Sequence, residues 1–267
     1  MKHCLLILLL VAQSALSSEL PRPDHIVIVI EENKSFNQII GSREAPFINK
    51  LAKGGALFTQ SYGVTHPSQP NYLALFSGST RGVTNDACPL AFSGDNLASL
   101  LQAKGLSFTS YSESMPDTGY DGCYYGAYMR KHNPAANWKE LAAYNKPFSA
   151  LPADYAQLPT VAFVIPDQIN DMHDGSIEQG DVWLEKHIEP YMRWAMKHNS
   201  LLIVTWDEDD GSSNNRIATI FIGAMVKPGQ YMQHINHYNL LRTIEEMHGL
   251  SYLGESERAR AAMGIWK

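Results

Sequence analysis

The chain has few cysteines, no long apolar run in its main body and no cluster of basic residues. Beyond residue 20 it contains no uninterrupted apolar segment of the roughly 20 residues that a membrane-spanning helix needs. Its formal net charge of −6 and its scattered lysines and arginines argue against a nucleic-acid-binding surface. It has no internal repeat and no low-complexity tract. The sequence thus excludes nucleic-acid-binding and repeat classes, and nothing in it points to a particular oligomeric state.

The first 18 residues have the features of a secretory signal peptide. Lys2 precedes an apolar run from Cys4 to Ala12, which is too short to span a bilayer and is followed by small residues. We expect cleavage near Ser17 or Ser18, which would release the mature chain into the periplasm or the medium with no stable membrane anchor.

Cys88 and Cys123 are the cysteines that remain after cleavage. In an oxidising compartment two such residues favour a single disulfide, which here closes a loop of about 35 residues and contributes about 3 kcal/mol. The alternative is a pair of unpaired buried thiols.

Strand-like runs alternate with helical patterns along the chain, which is typical of an α/β fold with a mostly parallel sheet between two layers of helices. The predicted strands are HIVIVI (25–30), ALFTQSY (56–62), LSFTSY (106–111), TVAFVI (160–165), LLIVTW (201–206) and IATIFIGAMV (217–226). The predicted helices lie at 45–53, at 71–77, from an Asp95 cap to Gly105, at about 180–198 with Pro190 inside, and from Asn239 onward.

The length and the 45% hydrophobic content suffice for one buried core, so we expect residues 19–267 to form a single domain. Residues 112–158 interrupt the alternating pattern and are rich in Tyr, Pro, Gly, Asn and Ala, with a short helix expected near 138–144. We interpret this segment as an irregular insertion over the site.

Acidic residues cluster after three of the predicted strands. The clusters are Glu31, Glu32 and Asn33; Asp167, Asp171, His173 and Asp174; and Asp207, Glu208, Asp209 and Asp210. Ligands of open α/β sheets bind beyond the carboxyl ends of the strands, and carboxylates gathered there repel one another unless a cation lies between them. The oxygen ligands favour a hard or borderline metal. The alternative for each cluster alone is helix capping or plain solvation.

Ser68 lies between Pro67 and Pro70, just before a short predicted helix. The two prolines hold the serine in a stiff, extended approach, and the start of a helix offers free N–H groups and a positive dipole that favour an anion. Serine and proline are also common in ordinary turns, which is the alternative interpretation.

Six segments, in this order along nearly the whole mature chain, resemble the Phosphoesterase family of bacterial acid phosphatases and phospholipases C, within the alkaline phosphatase superfamily. They are IEENKSF (30–36), HPSQPNYLALFSG (66–78), KHNPAANW (131–138), NDMHDGS (170–176), WDEDDG (206–211) and HYNLLRTIEEMHGL (237–250). The small secreted acid phosphatases, some of them phosphatidylinositol 3-phosphatases, are the most similar branch. The resemblance implies an alkaline-phosphatase-like α/β/α sandwich that hydrolyses phosphate monoesters.

The resemblance also implies roles for individual residues. Ser68 would be the nucleophile and would form a phosphoserine, and Asn71, three residues on, would bond a phosphoryl oxygen. One divalent metal ion, of unknown identity, would be bound by five residues. These are Glu32, Asn33, Ser68, Asp207 and Glu208.

Histidines and lysines complete the expected site. His132 and His173 fall in the phosphate-side motifs and would bond the phosphoryl group or protonate the leaving alkoxide. His237 and Lys34 are expected to bind substrate, with Lys131 as an alternative cation at the rim. An alternative is a partial second group of metal ligands, made up of Asp167, Asp171, His173 and His237.

The expected substrate is a small-molecule or lipid phosphate ester, and two alternative functions stay open. One is a phosphodiesterase of phospholipase C type, which needs an apolar groove. Tyr124, Tyr125, Tyr128 and Trp138 would line it. The other is a secreted protein that binds metal or phosphate without turnover.

Overall fold

The computed structural model describes residues 20–267, so the predicted signal peptide lies outside the described residues. The strands are β1 (His25–Glu31), β2 (Ala56–Tyr62), β3 (Phe108–Ser112), β4 (Tyr124–Tyr125), β5 (Tyr128–Met129), β6 (Asn145–Pro147), β7 (Val161–Ile165), β8 (Ser200–Trp206), β9 (Arg216–Ile222), β10 (Gly229–Tyr231) and β11 (Ile235–Asn236). The α-helices are α1 (Phe36–Ile39), α2 (Pro46–Gly54), α3 (Ser68–Ser77), α4 (Leu97–Ala103), α5 (Ile177–Ala195) and α6 (His237–His248). Among these residues no helix is both long and apolar enough to cross a membrane.

Nine strands form one sheet in the order β10-β2-β9-β8-β1-β7-β3-β6, with β11 beside β2. Strand β9 runs antiparallel to β8 and β2, and the other pairings in this sheet are parallel. The prediction of a mostly parallel sheet is therefore confirmed. Strands β1 and β8 stay in register up to the pair Glu31 and Trp206, so the residues after these two strands emerge side by side.

Two hydrophobic cores cover the two faces of the sheet. In β1 the side chains of Ile26, Ile28 and Ile30 pack into one core, together with α3, α4 and α6. The alternate residues Val27 and Val29 pack into the other core, with α2 and α5. This alternation is what a strand buried on both faces requires, and it produces the predicted three-layer sandwich.

Three helix starts differ from the predictions. The predicted Asp95 cap is wrong: Asn96 caps α4, because its side chain and that of Ser99 bond each other's backbone N–H groups. Helix α3 begins at Ser68 itself, since Pro70 falls in the first turn, where no intrahelical N–H is needed. Helix α6 begins at His237, where the Asn236 side chain accepts from the N–H of Tyr238.

The segment 112–158 contains β4, β5 and β6 and five short 3₁₀ helices. The helix expected near 138–144 is the 3₁₀ helix Lys139–Tyr144. The predicted disulfide between Cys88 and Cys123 is confirmed, with Cα atoms 5.8 Å apart, and it ties this segment to the loop before α4.

Glu245 in α6 is a buried acid away from the acidic strand ends. Its carboxyl accepts hydrogen bonds from the N–H of Leu253 at 2.9 Å and from the hydroxyl of Ser256 at 2.6 Å. Burial nevertheless raises the pKa of Glu245 from 4.5 to about 7. The folded state therefore favours the protonated acid, so stability is lost as pH rises from 4.5 through 7.

We expect Glu245→Gln to remove this pH dependence, because glutamine does not ionise, while its Oε1 can accept from the N–H of Leu253 and its Nε2 can donate to the Ser256 hydroxyl oxygen. Relative to the variant, the free energy of unfolding of the wild type should fall by about 3 kcal/mol across that pH range. Chemical denaturation at several pH values measures it, with Glu185→Gln at an exposed position of α5 as the control. Parallel pH profiles for the wild type and Glu245→Gln would contradict the prediction.

Candidate active site

Two acidic strand ends meet at the carboxyl edge of the sheet. Glu32 directly follows β1, and Asp207 and Glu208 directly follow β8; all three side chains are buried. Between the strand ends, the backbone N–H of Asn33 lies 3.3 Å from Asp207 Oδ1. Asn33 has a φ of 50°, a left-handed conformation that asparagine tolerates better than most residues, and this turns the chain sharply after the strand.

Ser68 contacts both acidic strand ends from the first turn of α3. Its hydroxyl lies 2.9 Å from Glu32 Oε2 and 3.2 Å from Glu208 Oε1. Tyr72, one helical turn further on, donates its hydroxyl to Glu32 Oε1 at 2.5 Å. Helix α3 therefore directs two hydroxyl groups at one carboxyl group.

Burial and mutual repulsion raise the pKa values of these acids. Burial, with the charges of Asp207 and Asp171, raises the pKa of Glu32 well above its ordinary value. Burial raises the pKa of Asp207 to about 7 and, with the charge of Asp207, that of Glu208 to about 9. A bound cation would favour the charged forms and remove this cost.

The donor set fits a metal ion. Among residues 20–267, the buried oxygens Asp207 Oδ2 and Asn33 Oδ1 have no hydrogen-bond partner. These oxygens, like those of Glu32, Glu208 and Ser68, are of the type that a hard or borderline cation prefers. Hydrogen bonds connect Ser68 with Glu32 and Glu208, and Asn33 with Asp207, while the five-residue metal site itself stays a prediction.

A second group shares Glu32. Glu32, His132 and His173 each offer a ligand atom, and these atoms lie within 4.8 Å of one another, close enough to hold a metal ion. His132 is buried, with Nε2 3.2 Å from Glu32 Oε1 and Nδ1 3.2 Å from Asp171 Oδ2. Burial lowers the pKa of His132 well below its ordinary value, which favours the neutral ring. A neutral ring has a lone pair for a metal or one proton for a phosphoryl oxygen.

His173 and Lys131 lie side by side at the partly open rim of the site. His173 Nδ1 lies 2.8 Å from Asp174 Oδ1, and Nε2 lies 3.3 Å from Lys131 Nζ. Asp86 accepts from Lys131 Nζ at 3.0 Å through one oxygen and from the N–H of Gln69 at 3.0 Å through the other. Burial opposes the charge of Lys131, but the bond to Asp86 outweighs it and raises the pKa of the lysine. Asp86 thus links this cation to the residue after Ser68.

The Asn71 side chain holds the loop that leads to Ser68. Its Oδ1 accepts from the N–H groups of Val64 and Thr65 at 2.7 and 3.1 Å, and its Nδ2 donates to the carbonyl of Thr65 at 2.8 Å. The same Nδ2 lies 3.4 Å from Glu208 Oε2, which places the amide beside the acids. Its bond to a phosphoryl oxygen stays a prediction.

His237 and Lys34 also contact the protein rather than open space. His237 is buried, and its Nε2 donates to the carbonyl of Asp207 at 2.6 Å; burial lowers its pKa to about 4. Lys34 Nζ donates to the carbonyl of Met172 at 2.6 Å. Both residues therefore support the backbone around the acids, and their contact with substrate stays a prediction.

The partial second metal set is not assembled. Asp167 accepts from the hydroxyl of Ser114 at 2.6 Å and from the N–H of Ile169 at 3.1 Å, as a turn residue does. His237 faces the carbonyl of Asp207. Among residues 20–267, these four side chains form no group with ligand atoms close enough to share a metal ion.

Tyr72 and His66 contact the acids, although the sequence analysis assigned neither a role. Tyr72 is four residues after Ser68, and this helical spacing is the signal that places both on one face of α3. His66 Nδ1 lies 2.8 Å from Glu208 Oε2, and its Nε2 lies 3.3 Å from Asp209 Oδ1. No local pattern indicates the His66 contacts, because they join segments far apart in the chain.

Comparison with known proteins agrees with this geometry. The sequence pattern of the Phosphoesterase family matches residues 42–251. The chain belongs to the Phosphoesterase family. A phosphatidylinositol-3-phosphatase of Mycobacterium tuberculosis is 50% identical over 254 residues, which cover 94% of this chain and 85% of that one. An acid phosphatase of Aspergillus fumigatus is 31% identical over 226 residues, which cover 76% of this phosphoesterase and 51% of the fungal protein. This phosphoesterase thus spans about half the length of that fungal relative.

Solved structures confirm the predicted fold. A protein of the alkaline phosphatase superfamily from Vibrio parahaemolyticus matches with a TM-score of 0.59 and 13% identity, covering 91% of this phosphoesterase and 71% of that chain. The three-layer sandwich is therefore alkaline-phosphatase-like.

Proposed function

We propose that this phosphoesterase is a secreted acid phosphatase that hydrolyses phosphate monoesters through a phosphoserine at Ser68. The observation that supports this most is the position of the Ser68 hydroxyl, between Glu32 and Glu208 at the start of α3. A hydroxyl needs a neighbouring base or a cation to act as a nucleophile, and this one has carboxylates on two sides.

In this proposal Glu32, Asn33, Ser68, Asp207 and Glu208 would hold a divalent metal ion. When bound, such an ion stabilises the ionised serine and the negative charge of the phosphoryl group. Elemental analysis of the purified protein identifies the bound metal.

The proposed reaction consists of two successive displacements at phosphorus. Glu32 Oε2, 2.9 Å from Ser68 Oγ, accepts the serine proton as the Oγ–phosphorus bond forms and the ester P–O bond breaks. The departing alkoxide takes a proton from His173, which is the less buried of the two phosphate-side histidines. Water then attacks the phosphoserine, and the proton it loses restores His173. The phosphorus–Oγ bond breaks as Glu32 returns its proton to Ser68 Oγ, and inorganic phosphate leaves. Lys131 offsets charge on the phosphoryl oxygens from the rim.

The substrate proposal follows the relatives. One is named for a phosphatidylinositol phosphate and others for acid phosphatase activity. We extend to this chain the class that they share, a phosphate monoester of small size or on a lipid headgroup. Secretion rests on the signal peptide expected in residues 1–18.

The aromatic residues expected to line an apolar groove in a phosphodiesterase differ in their exposure. Tyr128 and Trp138 belong to the buried residues, while Tyr124 and Tyr125 are exposed. The four aromatic residues therefore do not line one common groove.

The test compares p-nitrophenyl phosphate with bis(p-nitrophenyl) phosphate. We expect the monoester to be hydrolysed with a kcat/KM about 100-fold higher or more, because a site built around charged phosphoryl oxygens loses contacts to a diester. A preference for the diester would favour the phospholipase C type of reaction. Binding of phosphate with no turnover of either ester would favour the non-catalytic alternative.

A further inference from the structure

Asp86 lies in the loop between α3 and α4, outside the six family segments. Both of its carboxylate oxygens are bonded: Oδ2 accepts from Lys131 Nζ at 3.0 Å, and Oδ1 accepts from the N–H of Gln69 at 3.0 Å. Gln69 directly follows Ser68 in the first turn of α3. One carboxylate therefore connects the cation at the rim with the helix turn that carries the proposed nucleophile.

The surroundings of Asp86 favour a firm contact with the lysine. The start of α3 suits an anion, because its free N–H groups and the helix dipole favour negative charge. The side chains of Asp86 and Lys131 are 28% and 17% exposed, so water screens their attraction less than that of a surface pair. The bond between them joins two charged groups, which makes it stronger than a bond between neutral partners.

Asp86 competes with the acids of the candidate site for Lys131. Burial opposes the charge of Lys131, and the bond to Asp86 is the largest effect that raises its pKa. The charges of Glu32 and Asp207 attract the same ammonium group less strongly. A lysine drawn onto those carboxylates would take the place of a cation and would not be free for phosphoryl oxygens. Asp86 keeps the ammonium at the rim, where Nζ lies 3.3 Å from His173 Nε2.

The disulfide joins the two segments that carry this ion pair. Cys88 lies two residues after Asp86, and the carbonyl of its partner Cys123 accepts from the N–H of Arg130 at 3.0 Å. Arg130 directly precedes Lys131 in a short 3₁₀ helix. The covalent bond therefore limits how far the loop of Asp86 can move away from the segment of Lys131.

We propose that Asp86 is a positioning residue of the hydrolytic reaction, which fixes the Lys131 ammonium relative to Ser68 so that both reach one phosphoryl group. This inference rests on the proposed function, since it assigns how the cation of that site is placed. A carboxylate in contact with a phosphoryl group would repel it, so Asp86 acts through the lysine. Its loss should weaken binding of the phosphoryl group more than it slows the reaction of bound substrate.

The test is a double-mutant cycle of Asp86→Asn and Lys131→Met. Asparagine keeps an oxygen for the N–H of Gln69 but loses the charge that binds the lysine, and methionine keeps an apolar stem without the charge. Glu189→Gln is the matched control, because it removes a carboxylate that binds Lys50 at 2.7 Å outside the site. Kinetics on p-nitrophenyl phosphate give kcat and KM, and titration calorimetry of the purified protein gives the affinity for inorganic phosphate.

We expect Asp86→Asn to raise KM and to weaken phosphate binding by about tenfold, while kcat changes by less than about threefold. Lys131→Met should have an effect at least as large. The double variant should match Lys131→Met, because Asp86 then has no ammonium to place. Asp86→Glu keeps the charge and should recover part of the loss. The control should keep the wild-type values, and equal melting temperatures would show that the variants are folded.

Three results would overturn the proposal on Asp86. One is a KM and a phosphate affinity within about twofold of the wild type in Asp86→Asn. Another is losses that add up in the double variant, since two independent residues give that result. The third is a loss of kcat alone with a lower melting temperature, which would make Asp86 a structural residue only. If the wild type hydrolyses no ester, the proposed function fails, whereas the calorimetric cycle still tests the link between Asp86 and Lys131. A wild type that also binds no phosphate would overturn both.

Discussion

Replacing Ser68 with alanine should lower kcat on p-nitrophenyl phosphate by about 10⁴-fold or more. From the start of α3 the hydroxyl contacts Glu32, which follows β1, and Glu208, which follows β8. Removing a nucleophile removes the covalent path, and what remains is direct attack by water with the help of the other groups. Steady-state release of p-nitrophenol measures the effect.

Ser77→Ala is the matched control, because Ser77 is a buried serine at the other end of the same helix and bonds the carbonyl of Leu73 at 3.0 Å. It should keep its activity within a few-fold, apart from a modest loss of stability. Metal content should stay near the wild-type level in Ser68→Ala, since the carboxylates persist. A Ser68→Ala protein with substantial turnover would exclude the phosphoserine path.

Replacing Asp207 with asparagine should both weaken metal binding and lower kcat/KM by about 100-fold or more. Asparagine keeps the shape of the side chain but removes the charge that a cation would balance. The bare cluster is unfavourable, as the raised pKa values of Asp207 and Glu208 show, so the native protein is expected to hold a cation there. Elemental analysis of purified protein and activity after chelation and metal return measure the effect.

Asp181→Asn serves as the control for a lost buried charge. Asp181 accepts from the N–H groups of Phe47 and Ile48 at 3.0 and 2.8 Å, so its replacement should lower stability without changing metal content.

His173→Ala distinguishes the two ligand groups that share Glu32. Metal loss in His173→Ala but not in Asp207→Asn would contradict the five-oxygen site and favour the glutamate and histidine group.

The strand ends were predictable because short-range patterns define them. Continuous apolar runs identified β1 and β8 as buried parallel strands, and their carboxyl ends had to share one edge of the sheet. Ser68 stood out through its two prolines and the helix after it. These features, with the six family segments, suffice to predict the fold and the cluster of acids around Ser68.

The contacts of single side chains were less predictable. Asn71 and His237 occupy family motifs, but each is bonded to backbone in the structure, and only the folded chain shows which carbonyl or N–H lies within reach. Asp86 lies in a loop without any motif, and it joins Lys131 to α3 across 45 residues of sequence. Sequence spacing carries no information on such distant pairs.

The stereochemical course at phosphorus tests the central claim most directly. A monoester made chiral at phosphorus with oxygen isotopes is hydrolysed by the wild-type enzyme, and the configuration of the product is determined. Two in-line displacements, first by Ser68 and then by water, predict retention. Inversion would mean that water attacks the substrate directly, and it would contradict the account.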